Sequence, residues 1–504
     1  MFHALPRRGV AILSAVCLSS LMFGIEISSI PAILPTLQQV LRADFQQLQW
    51  IMNAYTIAVT TVLMAIGTLA DRYGRKRLFL ISISAFAITS LICAIAPNAT
   101  TLIVARFIQG LSGGAMLICQ VSVLSHEFQG SQQRAIAFGW WGIIFGIGLG
   151  FGPILGAAIA AMLGWKWVFL IHVLIAAVTF TLALNAHESK DPNPGTLDVV
   201  GMLTLSLSVF FLAFYITQGS VLSFSSPTSI AIIGASGVSF IVFLVTENVV
   251  QRPMFDFSVF QIPSFCGAII GSAAMNISYW PFMIYLPIWF HAGLGYSDIE
   301  AGVALLAYTL PTLFMPPLGE RFSLRCGPQI AIPAGLFTIG FGFMLMKLGS
   351  SASQPNWLTM LPGCLIAGAG LGMTNTPVTN TTTGSVSSDR AGMASGIDMS
   401  ARMISLALNI ALMGFILISG VIAQLKRELP NLGAASLWPL AEQIASGRRT
   451  SSPEIPASMA REALTNGFGH VMLYGGAGVW ILAVISYAIF RAGSAPLLKP
   501  ASAE

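Results

Sequence analysis

Charge is scarce in this chain of 504 residues: only 9% are Asp, Glu, Lys or Arg, against roughly 25% in an ordinary soluble domain. So few charges cannot clothe a water-soluble core of this size, which argues against a soluble enzyme. Cysteine is equally sparse, with six residues, no Cys-x-x-Cys spacing and none in the polar segment 424–466. A disulfide framework or a zinc site is therefore not expected, and the thiols read as small apolar packing residues. His126, His172, His187, His291 and His470 are scattered without metal-ligand spacing. There is no phosphate-cradling loop, no nucleotide domain and no Ser/His/Asp arrangement on a credible element, so neither an enzyme nor an ATP-driven pump is indicated. The net charge of +5 is small and dispersed, which points away from nucleic acid.

Apolar sequence is what the chain has in abundance: 55% hydrophobic residues and a mean hydropathy of +0.79. It comes in blocks long enough for α-helices to cross a hydrocarbon layer of about 30 Å. Fourteen such blocks lie near 10–33, 51–70, 78–96, 101–124, 138–160, 167–186, 198–217, 229–248, 265–290, 301–319, 329–348, 358–380, 393–422 and 467–490. The expectation is an all-α polytopic membrane protein. The first block follows Arg7 and Arg8, yet it exceeds a signal-peptide core and shows no small-residue cleavage site, so it reads as a retained helix.

Basic residues set the orientation. With the N-terminus inside, the inner segments hold fourteen of the 24 Lys and Arg residues, among them Arg7, Arg8, Arg72, Arg75, Lys76, Arg77, Arg134, Arg321, Arg325 and Arg390. The short outer loops hold only Arg42, Lys166 and Lys347. Both termini are thus expected in the cytoplasm. The polar, breaker-rich stretch after the sixth block and a second one at 249–264 divide the chain into six, two and six spans. The expected units are 1–187, a pair of linker spans within 188–262, and 263–504 with a long outer loop at 424–466. Two six-helix halves suit a secondary transporter.

Three motifs sharpen this reading. Between the second and third blocks stands Gly67-Thr-Leu-Ala-Asp71-Arg72-Tyr73-Gly74-Arg75-Lys76-Arg77, a tight inner turn. Gly74 permits an unusual backbone there, and Asp71 can cap the next helix or pair with a nearby Arg. The fourth block carries Arg106-Phe-Ile-Gln109-Gly110-Leu-Ser-Gly113-Gly114. The fifth carries Gly146-Ile-Gly148-Leu-Gly150-Phe-Gly152-Pro153-Ile-Leu-Gly156-Ala157, whose small faces let helices approach closely while Pro153 bends the span. Together these strings resemble the loop signature, the fourth-helix stretch and the antiporter motif of the major facilitator superfamily, in particular its fourteen-helix drug:proton antiporters of EmrB/QacA type. Two departures are Ala157 for the last Gly of the antiporter motif, and Leu324 where the second-half echo, Gly319 to Gly327, usually has Asp.

The resemblance implies two six-helix bundles plus two extra helices, a gating loop that latches the halves, and multidrug efflux across the cytoplasmic membrane. It implies a proton gradient as the energy source and no cofactor. Buried acids would carry the coupling, since charge inside a membrane is costly and defaults to function. Two qualify within the blocks, Glu26 and Asp398; Asp198 and Glu247 read as structural residues at helix ends. Glu26 and Arg106 both lie about 8–10 Å deep from the outer side at 1.5 Å per residue, so they can meet. Burial disfavours a charged carboxyl and a nearby Arg favours it, a balance that can sense protons. Asp398 and Arg402 are one turn apart, either a self-contained pair or a second coupling site. Asn53, Tyr55, Gln109, Tyr279, Trp280 and Tyr285 are the candidates for contact with an amphiphilic or cationic substrate. Left open are a dedicated exporter of one metabolite or siderophore, a transport-dead sensor or assembly partner, and docking of a periplasmic membrane-fusion adaptor.

Overall fold

The computed structural model describes residues 7–43, 45–191, 198–223, 225–250, 257–352, 354–387, 390–429, 434–447 and 455–492. Among these residues there is no strand. Apolar runs of this length in lipid can satisfy their backbone groups only internally, and helices do that. The first half contains α1 (Arg7–Leu41), α2 (Phe45–Tyr73), α3 (Arg75–Ala94), α4 (Ala99–Glu127), α5 (Ser131–Leu163) and α6 (Lys166–Ala183). Then come α7 (Val199–Leu222) and α8 (Pro227–Val249). The rest is α9 (Pro263–Ile277), α10 (Tyr279–Ile288), α11 (Asp298–Thr309), α12 (Pro311–Phe314), α13 (Pro316–Cys326), α14 (Pro328–Ser350), α15 (Trp357–Gly384), α16 (Ala391–Glu428), α17 (Ala434–Ala445) and α18 (Ala457–Ala492).

Local chemistry sets the boundaries. Asn98 and Asp198 cap α4 and α7 with their side-chain oxygens, and α11 and α15 open with reciprocal capping boxes, Ser297 with Glu300 and Asn356 with Thr359. Gly74 separates α2 from α3 at φ +113°, and Gly327 separates α13 from α14 at φ +83°, a region where a side chain would be strained.

Among the described residues, twelve helices are long and apolar enough to span a membrane. A thirteenth span is the pair Glu300–Phe314 and Pro316–Cys326, bent by 44°, because Pro311 and Pro316 each remove a helix donor. The expected block 265–290 is not one helix. It breaks at Ser278 into α9 and α10, since Pro281 has no N–H for the carbonyl of Ile277. The segment 424–466 also departs from the expected loop: α16 runs on to Glu428 and α17 is helical, burying Leu437, Ala441 and Ile444 in the core of the second half. Its residues 430–433 and 448–454 lie outside the described residues. All six cysteines are free thiols, and only Cys326 is exposed.

In the first half α1 packs on α5 and α6, α2 on α4, and α3 on α4 and α6; in the second half α14 packs on α15 and α18, and α9 on α18 and α16. The halves meet where α2 and α4 touch α16 and where α5 touches α13 and α15. Outside this seam α7 leans on α2 and α16 and carries α8. Exposed Ile81, Ile88, Val238, Ile241, Val245, Ile481 and Val484 form the kind of surface that lipid tails solvate.

The α1–α5 contact shows what the glycine run is for. Cβ atoms at Gly148, Gly152 and Gly156 would strike Leu21 and Gly24, Ser28, and Ser29 of α1 respectively. The face in contact thus repeats at i, i+4 and i+8, while Gly150 looks the other way, toward Thr309 of the second half. The helix continues through Pro153, and the Ser28 hydroxyl donates to the carbonyl of Gly148 at 3.0 Å, next to the carbonyl freed by the proline. Gly148→Val is therefore expected to destabilise the fold by about 1–3 kcal/mol through overpacking, read as a lower unfolding temperature in detergent. Gly234→Ala on α8, with nothing within 4 Å, is the control and should leave that temperature unchanged or slightly higher.

Candidate functional site

Three polar assemblies cross this apolar interior. The first lies inside the first half. Glu26 of α1 is fully buried, and its Oε1 accepts from Nη1 of Arg106 on α4. Arg106 also donates from Nε to the carbonyl of Ile51 (3.1 Å) and from Nη1 to Oε1 of Gln109 (2.8 Å). Its guanidinium lies 4.3 Å from the centre of the Tyr55 ring, a favourable cation–π placement. Gln109 passes the network on to Ser90 of α3 (2.8 Å). Gly110 and Gly113 make this possible: a Cβ at either would meet Tyr55 itself. The candidates Tyr55 and Gln109 thus belong to the Glu26–Arg106 network, while Asn53 sits half-buried on the same helix as Tyr55.

His172 of α6, dismissed above as one of several scattered histidines, has its Nδ1 3.3 Å from Oε2 of Glu26. That ring nitrogen also lies 3.0 Å from the carbonyl of Val168. Sequence spacing gave no hint, because the contact joins the first and sixth helices.

The second assembly lies in the second half. Asp398 on α16 accepts from Arg402 Nε (3.2 Å), Thr379 Oγ1 (3.1 Å) and the Ser272 hydroxyl. Arg402 reaches on to Thr379 Oγ1 (2.8 Å) and the side-chain oxygen of Asn375. The pair is therefore not self-contained: it ties α16 to α15 and α9. A signal existed in the run Thr374-Asn375-Thr376-Pro377-Val378-Thr379-Asn380, which is too polar for a lipid-facing face.

The third assembly closes the seam at the end of the bundle that carries the basic 71–77 turn. Asp71 does not cap the next helix, α3. Its Oδ1 accepts from Arg75 (2.8 and 2.9 Å) and from the backbone N–H of Gly392 (3.0 Å), and its Oδ2 from that of Met393 (2.9 Å). It caps α16, in the other half, where free N–H groups and the helix dipole favour an anion. Gly67 and Gly392 allow the approach, since a Cβ on either would strike the other's carbonyl oxygen. The cap of α3 comes instead from Glu188, which accepts from the N–H groups of Lys76 (3.2 Å) and Arg77 (3.1 Å) beside Gly74. Lys76 donates to the carbonyl of Leu184 (2.7 Å), and Arg72 lies 5.5 Å from the Tyr73 ring centre.

The second-half echo, which lacks its Asp at Leu324, is answered by another acid. Glu320 of α13 is buried, and its Oε2 accepts from Asn380 (3.0 Å). Asn380 in turn receives Nε of Arg134 from α5, and Arg134 also donates to Thr383 (2.6 Å). Asp71 and Glu320 therefore join Glu26 and Asp398 among the acids buried in spans, together with Asp198 and Glu247 at helix ends. Counting from block edges hid them, because each lies one residue past its apolar block (51–70 and 301–319), on a helix that runs on and is buried there.

Between the assemblies, a narrow central space is lined by Gly142, Phe145, Gly146, Trp280, Thr312, Pro316, Leu371, Gly372 and Asn375. None of these comes from α7 or α8. Trp280 is the one aromatic candidate of α10 on that wall. Tyr279 is buried, stacked on Tyr308 at 4.1 Å with reciprocal bonds from each hydroxyl to the other's carbonyl (2.7 and 3.0 Å). Tyr285 donates to the carbonyl of Ile410 (2.6 Å). Tyr279 is thus enclosed between helices, while Tyr285 is half-buried with its hydroxyl bound to α16.

An all-helical chain of paired bundles with charge buried at their centres and seam defines a membrane transporter. The chain belongs to the Major Facilitator Superfamily, whose family model matches residues 16–409. It is 27% identical over 424 residues to the multidrug resistance protein Stp of Mycobacterium tuberculosis, covering 84% of this chain and 78% of Stp. It is 29% identical over 428 residues to the drug efflux pump JefA of the same species, covering 84% and 83%. Among solved structures it resembles the human organic anion transporter MFSD10 (TETRAN), with a TM-score of 0.64 at 13% identity over 96% of this chain and 100% of that one, a likeness of fold alone.

The Glu320 assembly can be tested without any transport assay. Arg134→Met removes donors from Asn380 and Thr383 and leaves Glu320 without a nearby cation, and should cost about 1–3 kcal/mol in stability. Adding Glu320→Gln should recover part of that loss. Equal unfolding temperatures for wild type and Arg134→Met would show that the bridge contributes nothing.

Proposed function

We propose that this transporter is a proton-driven exporter of amphiphilic or cationic compounds, exchanging substrate for protons across the cytoplasmic membrane. The observation that carries the reading is the Glu26–Arg106 pair, buried away from water at the heart of one half. The printed names of Stp and JefA support it. The basic turn and both termini face the cytoplasm, in keeping with the distribution of Lys and Arg. Residues 1–187 and 263–504 act as the two moving halves, and 188–262 as a linker unit beside them. The proton gradient is the energy source and no cofactor takes part; a periplasmic adaptor would dock on the outer 424–466 segment.

The physics of the exchange is electrostatic. Glu26 and Arg106 are neutral as a pair, and a proton taken up from outside leaves Arg106 without its counter-ion. The site then carries a net positive charge, which opposes a cationic substrate and shifts the balance between conformations. Losing the proton inside restores the attraction. Each charge moved inward gains about 2.3 kcal/mol per 100 mV. The Asp71 cap and the Arg134–Asn380–Glu320 bridge hold the cytoplasmic side shut, and both must part for substrate to enter from within. Trp280, Phe145 and Asn375 line the path between.

Glu26→Gln fixes the neutral form and should abolish proton-driven export while leaving substrate counterflow measurable in proteoliposomes; Glu26→Asp should keep part of the coupling. Normal export with a normal pH profile in Glu26→Gln would move the coupling site to Asp398. Asp71→Asn should slow turnover several-fold with substrate affinity nearly unchanged. Equal losses of binding and turnover would remove the latch from the mechanism.

A further inference from the structure

We infer that His172 shares the coupling proton with Glu26, so that the proton-binding unit is a glutamate–histidine pair held by Arg106. The inference rests on the reading of Glu26 as the coupling carboxyl and adds the atom that receives the proton with it. Both side chains are fully buried. Arg106 occupies one oxygen of the carboxylate, Oε1. The other, Oε2, has no hydrogen-bond partner, and neither has Nε2 of His172. Between the two residues Nδ1 stands 3.3 Å from Oε2.

Two buried polar atoms without partners are costly, and a histidine kept only to bond the carbonyl of Val168 does not explain them. One added proton answers Oε2 by making the ring a charged donor to it, while Nε2 stays without a partner. Because Nδ1 also faces the Val168 carbonyl at 3.0 Å, which can only accept, it carries a hydrogen; the protonated unit is an imidazolium whose Nδ1–H is shared between that carbonyl and the carboxylate Oε2. No bond other than to hydrogen changes, and the site charge rises by one.

The surroundings leave few other groups to take that proton. The helices packed on α6 are α1, α3 and α5. From α1 comes Glu26; its other titratable groups are Cys17, and Arg7 and Arg8 at the basic face. From α3 the edge of Phe86 faces the ring at 5.8 Å, and the Cys93 thiol contacts Gln109; Arg75, Lys76 and Arg77 lie at the basic face. The sole titratable residue of α5, Arg134, is engaged with Asn380. Arg106 and the Tyr55 hydroxyl complete the set from α4 and α2.

The test uses the full-length protein in proteoliposomes with ethidium as the transported cation. Proton-driven export is followed as a function of pH, and counterflow is measured without a gradient. His172→Asn keeps a polar group of similar reach but holds no proton. Its counterflow should persist, and its export midpoint should move about one unit toward lower pH, because a carboxyl beside Arg106 then takes its proton unaided. Persisting counterflow with proton-driven export lost altogether would also support the pair. An unchanged midpoint, or counterflow and export falling by the same factor, would overturn it and leave His172 as packing. Glu26→Gln separates the two claims. If it keeps the normal pH profile, the coupling reading fails and the pair with it. If it loses that profile while His172→Asn retains the normal midpoint, only the role of His172 fails.

Discussion

A carboxylate taken out of water must be met by donors fixed in place, because in a low-dielectric interior an unanswered charge costs more than a single helix can return. In this chain answering groups come from other helices, and for Asp398 also from Arg402 on its own helix. Glu26 on α1 is met from α4 and approached from α6, Asp398 on α16 from α15 and α9, and Asp71 on α2 from the open end of α16. Each buried charge therefore works as a connector between helices.

The first two assemblies lie within a half and the third between halves. That division suits a transporter whose parts move as bodies. Contacts inside each half are reinforced by glycine faces such as Gly148, Gly152 and Gly156 against α1, where backbone approaches backbone and dispersion is gained over a long stretch. The seam has close glycine contacts too, such as Gly67 with Gly392 and Gly396 with Leu63, and adds discrete polar contacts: the Asp71 cap and the Arg134–Asn380–Glu320 bridge. Hydrogen bonds of this kind can be exchanged for water, whereas an interdigitated apolar contact has no such substitute.

The two seam contacts are similar in place and different in chemistry. In the first half the acid acts on a helix terminus directly. In the second half Leu324 stands at the position of the expected acid, and Glu320, one turn earlier, reaches α5 through an amide. A polar contact to the other half is thus present in both halves on different residues, which is why a motif count at Leu324 alone suggests that the second half has none.

Composition and periodicity by themselves determined that the chain is helical and lives in a membrane, since a 9% charge content leaves no alternative for so much apolar sequence. Local rules determined the turn at Gly74, the caps at Asn98 and Asp198, and the two deepest acids, Glu26 and Asp398, because each depends on neighbours within a few residues. The same rules offered Asp71 a cap on the adjacent helix or a nearby Arg; it does pair with Arg75, and its capping role went elsewhere. Only the tertiary structure decided that Asp71 caps α16, more than three hundred residues away, that Glu188 takes its place on α3, that His172 faces Glu26, and that Glu320 is buried at all. Those pairings depend on which helix lies beside which, and hydrophobic periodicity says which residues face inward without saying what they will meet there.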